Sequence, residues 1–377
     1  MGTVAHDFGD FDHAINVFAS DEVLMRLQEL GRTEDIKFSP DSRRLAIAGF
    51  KKDKLLILDI KVVPSPNGIS VSLTDFVEIT SPSLNRPHGL AFIDDKTLIA
   101  VNRRGEAPIF EIPHGGEREK KFHIRPLLTI GCNDKHKLES PGSVSVWRLD
   151  HDRFEILICN NYAHHITRHI LERKDQLKLV SNEVLLSNGL TIPDGIAVNN
   201  GNRWIAVSNH DRHCVFLYQN KPHLNPQTKP DGILRNIIYP HGVRFTPDNN
   251  YVIVADAGSP YVNIYAKTAD GWKGTRNPQA TLRVMDEATY LRGKINPQEG
   301  GFKGIDIDHD MNVLVSTCEE NVIQFFDLRR VLRQRGVPLD RRRKYLQWQY
   351  AWYKHHKLPR LPGVTCSWDF LRKLITY

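Results

Sequence analysis

The sequence is poor in cysteine, and the few cysteines it has are far apart. Only five occur among 377 residues, and no two of them form a C-x-x-C pair. This spacing argues against a disulfide framework and against a cysteine-based zinc site. The cysteines are Cys132, Cys159, Cys214, Cys318 and Cys366.

Long apolar runs and export signals are also missing. No apolar run approaches the roughly 18 to 20 residues that cross a bilayer, so no transmembrane span is expected. The segment from Met1 to His13 contains three aspartates and no lysine or arginine, unlike a secretory signal peptide. No N-x-S/T glycosylation acceptor occurs either. We therefore expect a cytoplasmic protein.

Motifs of several common enzyme classes are absent. The sequence contains no G-x-S-x-G, no Walker loop, no G-x-G-x-x-G and no H-E-x-x-H. Serine hydrolysis at a nucleophile elbow and nucleotide binding by a glycine-rich loop are therefore not predicted.

Positive charge is concentrated near the C-terminus. The chain has a net charge of +7, but the segment Arg329 to Arg360 alone carries eleven basic residues and one acid. The remainder is therefore slightly acidic, and only the C-terminal segment is a candidate for binding an anionic partner, a lipid or a nucleic acid.

A repeat of about 54 residues is the strongest positive signal. Six segments align on a short strand whose second residue is taken here as the reference position. The reference positions are Glu34, His88, Gly142, Asp194, His241 and Lys303. A fixed period of this length is typical of repeat architectures such as propellers and solenoids.

Each copy continues with turns rich in Asp, Asn and Gly that separate further β-branched strands. In the fourth copy the predicted strands are 195–198, 204–208 and 214–218, and a fourth strand fits each connection, as at 177–186. Four strands repeated six times predict an all-β, six-bladed β-propeller. Two tandem β-sandwiches are the alternative, but they do not explain six aligned units.

The predicted domains are a propeller over residues 10–328 and a basic, aromatic extension over 329–377 with a helix near 341–356. The last copy lacks an outer strand, so the segment from Val17 to Leu30 is expected to close the ring. The aromatic residues Tyr345, Trp348 and Trp352 share one helical face beside a basic cluster. This face either caps the propeller or contacts an anionic lipid or nucleic acid.

The six reference residues are expected to form a ring around the central channel. Two carboxylates and two imidazoles at one place exceed what packing requires, because buried charges are paired or metal-bound. The alternative is that such residues only stabilise turns before glycine. A second tier at the ends of the next strands is predicted to contact substrate together with Arg103 and Lys303: Asn102, Asn160, Asn161, Asn209, His210 and Asp256.

The segments Thr33–Ile36 with Leu45–Gly49, and Pro87–Leu90 with Leu98–Asn102, resemble the paraoxonase/arylesterase family. The later copies are compatible with that family and with the gluconolactonase-type and NHL-repeat propellers. The resemblance covers about residues 30–270. It implies a calcium ion in the channel that activates an ester or lactone, with Glu34, Asp35 and Asp194 as ligands and His88 as the base.

Four departures change this interpretation. Gly142 and Ser143 replace oxygen ligands, Asp194 replaces an asparagine, His241-Gly242 replaces an acidic pair, and Arg103 replaces a histidine. Calcium requires six to eight oxygen ligands, whereas imidazole with carboxylate suits zinc, manganese or iron. The metal therefore stays open, between calcium by resemblance and zinc or manganese by ligand type.

The sequence predicts a metal-dependent hydrolase of an ester or lactone, with Glu34, Asp35, Asp194 and His241 at the metal and His88 as the base. Two alternatives remain. One is a non-catalytic propeller that binds a small molecule or a protein. The other is a zinc-dependent NHL-type lyase, which requires both His88 and His241 on the metal.

Overall fold

The computed structural model describes residues 4–6, 13–66, 68–113, 119–131 and 138–334. The described chain begins with two short strands and a helix: β1 (Val4–His6), β2 (Val17–Ala19) and α1 (Asp21–Glu29). Ser20 caps α1 by accepting a hydrogen bond from the Val23 backbone N–H. Val23 and Leu27 of this helix are buried against the first repeat unit.

Six antiparallel sheets follow, and each is one blade. Blade 1 has the strands β3 (Thr33–Phe38), β4 (Arg44–Gly49), β5 (Lys54–Ser65) and β6 (Gly68–Thr80). Blade 2 has β7 (Pro87–Asp94), β8 (Thr97–Asn102), β9 (Ala107–Glu111) and β11 (Leu128–Ile130). The intervening β10 (Lys121–His123) runs parallel to β6 and ties the second repeat to blade 1.

Blades 3 and 4 repeat the same order. Blade 3 has β12 (Pro141–Arg148), β13 (Arg153–Asn160), β14 (His165–Arg173) and β15 (Leu177–Leu186). Blade 4 has β16 (Pro193–Val198), β17 (Trp204–Asn209), β18 (Cys214–Gln219) and β19 (Gly232–Leu234), with a 3₁₀ turn over His210–Arg212. The predicted strands of the fourth repeat are confirmed to within two residues.

Blade 5 has β20 (Pro240–Phe245), β21 (Tyr251–Asp256), β22 (Tyr261–Ala266) and β24 (Ala280–Arg283), while β23 (Gly274–Arg276) joins the edge of blade 4. Blade 6 follows α2 (Glu287–Gly293) and has β25 (Gly304–Ile307), β26 (Val313–Thr317) and β27 (Gln324–Asp327), then α3 (Leu328–Gln334). The innermost strands contact one another in cyclic order, and β25 contacts β3. The fold is the predicted six-bladed β-propeller.

The ring closes through the N-terminal segment, but not through the residues expected. Ile15 donates its N–H to the Phe325 carbonyl at 2.9 Å, and His13 accepts from the Asp327 N–H at 2.8 Å. Residues 13–15 therefore pair with the outer edge of blade 6 through a single antiparallel β-bridge between Ala14 and Phe326. The expected segment 17–30 instead places β2 beside β6 of blade 1 and forms α1.

The hydrophobic core consists of layers between neighbouring blades. Between blades 2 and 3, for example, Ile99 and Val101 of β8 pack in one cluster with Ile156 and Ile158 of β13. Among the residues of the described ranges, no helix is both long and apolar enough to span a membrane. The predicted C-terminal helix near 341–356 lies outside the described residues, which end with α3 at Gln334. The basic, aromatic face that is expected to contact an anionic partner lies outside them as well.

Candidate functional site

A glycine after the reference residue lets the inner strands of adjacent blades approach closely. A Cβ atom on Gly89 would lie 2.6 Å from the Gly142 carbonyl oxygen, and one on Gly195 or Gly242 would overlap the carbonyl oxygen of His241 or Lys303. This close packing brings the side chains that precede the glycines together at one end of the channel. The predicted ring is therefore present as a spatial cluster.

The centre of the cluster is formed by Glu34, His88 and His241. All three are at least 94% buried, and each offers one ligand atom within 4.8 Å of the others. Glu34 Oε2 lies 3.6 Å from His88 Nε2 and 3.8 Å from His241 Nε2. Ligands bound tetrahedrally to zinc at about 2.1 Å lie about 3.4 Å apart, so the spacing suits one shared cation.

The Glu34 carboxylate is held on one side only. Its Oε1 atom accepts from Lys303 Nζ at 3.2 Å and from Arg32 Nε, whereas Oε2 is buried without a hydrogen-bond partner. Burial by itself would raise the pKa of Glu34, but Lys303, His88 and Arg32 lower it well below its usual range. Glu34 is therefore an ionised carboxylate with one free oxygen directed at two imidazoles.

The contacts of His88 define its tautomer. Its Nδ1 lies 2.6 Å from the Gly142 carbonyl oxygen, which can only accept, so Nδ1 carries the proton. Its Nε2 lies 2.6 Å from Nη2 of Arg103, which can only donate, so Nε2 holds a lone pair. Burial and the charge of Arg103 lower the pKa of His88 to about 3. A neutral imidazole oriented by a backbone carbonyl is typical of a metal-ligating histidine.

His241 is oriented by Asp194. Its Nε2 lies 3.2 Å from Asp194 Oδ2, and its ring stacks on that of His88 with centroids 5.5 Å apart. Asp194 Oδ1 accepts from Asn161 Nδ2 at 2.6 Å and lies 3.5 Å from Arg103 Nη2. Burial opposes ionisation of Asp194, but His241 and Arg103 lower its pKa well below the usual range. Burial lowers the pKa of His241 despite the attraction of Asp194 and Glu34.

Asp35 does not join this group of ligand atoms. Its Oδ1 accepts from the Ile36 N–H at 2.9 Å and contacts Lys37 Nζ, and its Oδ2 accepts from the Leu90 N–H at 2.9 Å. Burial raises the pKa of Asp35 to about 6. These bonds connect blade 1 to blade 2, so the contacts give Asp35 a structural role.

Four residues of the predicted second tier share a structural pattern instead. Each accepts a hydrogen bond from the backbone N–H two residues before the proline that begins the inner strand. The pairs are Asn102 with Asn85 at 3.0 Å, Asn160 with Glu139 at 2.8 Å, Asn209 with Thr191 at 2.7 Å, and Asp256 with Ile238 at 3.2 Å. These side chains therefore stabilise the turn before each inner strand, and their contact with substrate stays a prediction.

The remaining predicted residues lie at or beside the cluster. Asn161 contacts Asp194, Lys303 contacts Glu34, and Arg103 contacts His88, as described above. His210 is buried next to it, with its ring 6.5 Å from that of His241 and 4.9 Å from that of Tyr239.

Three residues of the site were missed from the sequence. Arg32 and Glu299 form an ion pair at 3.1 Å above Glu34, and Glu299 also binds Lys303 at 2.7 Å. Phe50 lies edge-on to His88, with ring centroids 6.0 Å apart. Arg32 is adjacent to the first repeat and Phe50 follows its second strand, so proximity to the motif was the only available signal.

Two surface cavities lie away from the cluster. One of about 780 Å³ lies between blades 2 and 3 and is lined by Asp94, Thr97 and Arg173, among others. The other, of about 480 Å³, lies between blades 3 and 4 and includes Glu155 and Arg168. Neither cavity is lined by a residue of the central cluster.

Comparison with known proteins identifies no family for this chain. No protein-family profile and no curated protein matches the chain. A functionally unknown protein from Desulfotomaculum acetoxidans DSM 771 matches with a TM-score of 0.49 and 12% identity over 79% of this chain and 83% of that one. A chain of a mitotic checkpoint complex matches with a TM-score of 0.48 and 10% identity over 78% and 74%. The resemblance to the paraoxonase/arylesterase and related families therefore rests on the sequence motifs alone.

Proposed function

We propose that this protein is a metal-dependent hydrolase whose divalent metal is held in the propeller channel by Glu34, His88 and His241. The observation that carries the proposal is the free oxygen of Glu34. A buried carboxylate oxygen without a donor is costly unless a cation or a hydrogen bond satisfies it. Here that oxygen faces two imidazole nitrogens at ligand–ligand spacing.

The donor set fits a transition metal better than calcium. Two imidazoles and one carboxylate suit zinc, manganese or iron, whereas calcium requires more oxygen ligands than the cluster offers. When bound, such a metal lowers the pKa of a coordinated water and polarises a carbonyl group. The ester or lactone substrate class is taken from the motif resemblance.

The chain's own residues would prepare this site. Lys303 and Arg32 hold Oε1 of Glu34 so that Oε2 stays directed at the histidines. The Gly142 carbonyl keeps the His88 proton on Nδ1 and leaves Nε2 free to coordinate. Asp194 lies beside the same Nε2 of His241 that would coordinate, so this nitrogen has to release its proton when the metal binds. In this arrangement His88 is a ligand, which differs from the base predicted from the family resemblance and is the arrangement that the zinc-dependent lyase alternative requires.

A non-catalytic binding propeller is the second candidate, and the charge balance of the cluster favours it. The negative charges of three carboxylates are balanced by three cationic side chains without any metal: Glu34, Asp194 and Glu299 by Arg32, Arg103 and Lys303. Arg103 also donates a hydrogen bond to the Nε2 lone pair of His88.

Metal content separates the two candidates. Metal-free protein is dialysed against zinc, manganese or calcium, and the retained metal is measured by elemental analysis. We expect about one equivalent of zinc or manganese in the wild type and little in Glu34→Gln, His88→Asn or His241→Asn. His210→Asn is the matched control, because this buried histidine lies beside the cluster but outside the ligand group; it should retain the metal.

Hydrolysis of a panel of esters and lactones is measured on the same samples. Absence of metal in the wild type after dialysis would reject the hydrolase and leave the binding propeller. Bound metal without hydrolysis of any panel member would reject the catalytic assignment. Metal retention with lost hydrolysis in His88→Asn would return His88 to the role of base.

A further inference from the structure

Arg103 has donors that the cluster does not use. Its Nη2 lies 2.6 Å from His88 Nε2 and 3.5 Å from Asp194 Oδ1, while its Nη1 is buried without a hydrogen-bond partner. Its guanidinium lies 5.8 Å from the ring centre of Tyr162, whose side chain is 62% exposed. Arg103 therefore stands between the buried ligand group and an exposed aromatic residue.

A metal at His88 changes what Arg103 can bind. The ion would take the Nε2 lone pair, so Arg103 would lose its acceptor and keep at least two unused N–H groups. Three carboxylates and three cations already balance around the cluster, so a divalent ion adds two uncompensated positive charges. A buried surplus of positive charge requires an anion, since unpaired buried charge is strongly unfavourable.

We infer that Arg103 recognises a carboxylate group of the substrate and makes the metal-loaded site selective for anionic esters or lactones. The inference rests on the proposed metal site. The planar guanidinium offers paired donors that match the two oxygens of a carboxylate. Tyr162 supplies an apolar surface beside that contact for the rest of the substrate.

The test uses the full-length protein loaded with cobalt(II), whose visible absorption reports both metal binding and changes at the metal. The loaded protein is titrated with acetate and with acetamide, a neutral probe of similar shape. We expect acetate to change the spectrum with saturation and acetamide to have little effect. In Arg103→Met, acetate binding should weaken by about tenfold or more, the usual value of a charge-assisted hydrogen bond.

Cobalt(II) affinity is the readout that separates recognition from a structural role. Removing a cation that competes for His88 should leave the metal affinity of Arg103→Met equal to or higher than that of the wild type. Acetate affinity should therefore fall in Arg103→Met while cobalt(II) affinity does not. Arg104→Met is the matched control, because Arg104 is next to Arg103 in the chain and its side chain is exposed. The cobalt(II) and acetate affinities of this variant should equal those of the wild type.

Three results would overturn the inference. Wild-type acetate affinity in Arg103→Met would remove the arginine from recognition. A parallel loss of cobalt(II) and acetate binding would make Arg103 a structural residue. Equal turnover, by the wild type, of an ester that carries a carboxylate and of the same ester with an amide in its place would show that the site does not select anionic substrates. Failure of the wild type to bind cobalt(II) would instead reject the metal site itself, and the inference with it.

Discussion

His88 is a buried, neutral histidine among charged side chains, and its burial makes the stability of the folded protein depend on pH. Its pKa is lowered to about 3 in the folded protein, because burial and Arg103 both oppose the imidazolium. In the unfolded chain the pKa of histidine is about 6.5. The unfolded state therefore binds a proton at pH values where the folded state does not, and the stability that His88 contributes above pH 6.5 decreases as the pH falls toward 3.

We predict that the metal-free protein loses about 2 kcal/mol of unfolding free energy from His88 alone between pH 7.5 and 5. The measurement is urea unfolding across this range for the wild type and for His88→Asn. Asp35, with a pKa near 6, changes in the opposite sense over part of this range, but it is present in both proteins and cancels in the comparison. Identical pH slopes would contradict the buried neutral state of His88.

The sequence predicted the charged cluster from the position of each residue in the repeat. Glu34, His88, Asp194 and His241 occupy equivalent positions in different blades, so the period alone brings them together. The period does not specify which oxygen of Glu34 is free or that Arg103 contacts His88. Those details depend on side-chain rotamers and on partners such as Glu299, which lies in a connection outside the aligned repeat.

At the scale of the strand, the glycine after each reference residue sets how closely two blades approach. Gly195 places its Cα against the His241 carbonyl, and this same oxygen accepts a hydrogen bond from Ser208 Oγ at 2.5 Å. A side chain at this position would push β20 away from β16. The glycine therefore controls the position of a candidate metal ligand in the neighbouring blade.

We predict that Gly195→Ala destabilises the protein by about 1 to 3 kcal/mol, the usual cost of overpacking a tight contact. It should also lower metal affinity, because His241 moves with its backbone. Thermal unfolding and metal titration test both effects. Gly89→Ala, whose Cβ would meet Gly142 and Ser143, should act in the same direction through the acceptor of His88. Unchanged stability and metal affinity in both variants would contradict this account.

The same strands show which contacts of the predicted site the sequence did not reveal. The second strand of four blades ends in a polar residue: Asn102, Asn160, Asn209 or Asp256. A polar side chain at this position can hydrogen-bond either to a substrate or to the backbone. Their bonds to the backbone before each inner strand are made across the repeat and were not visible as a sequence motif. In the structure their contacts are hydrogen bonds to the backbone.

For the whole molecule, closure of the ring joins the two ends of the described propeller. Blade 6 has three strands of its own, and residues 13–15 complete it through the bonds of Ile15 and His13 to β27. The period of the repeat predicted six blades, and the missing outer strand of the last copy predicted an N-terminal contribution to closure. The segment was misplaced because the apolar pattern of 17–30 is also that of a short strand followed by an amphipathic helix.

We predict that Ile15→Pro destabilises the propeller by about 3 kcal/mol or more, because proline removes the N–H that binds the Phe325 carbonyl. Ile15→Val keeps this N–H and should cost only about 1 kcal/mol from the lost methylene group. Urea unfolding of both variants measures the difference. Since β25 also contacts β3 beside Glu34 and Lys303, loss of closure should reduce metal retention as well. Equal stability of the two variants would show that residues 13–15 do not hold the ring closed.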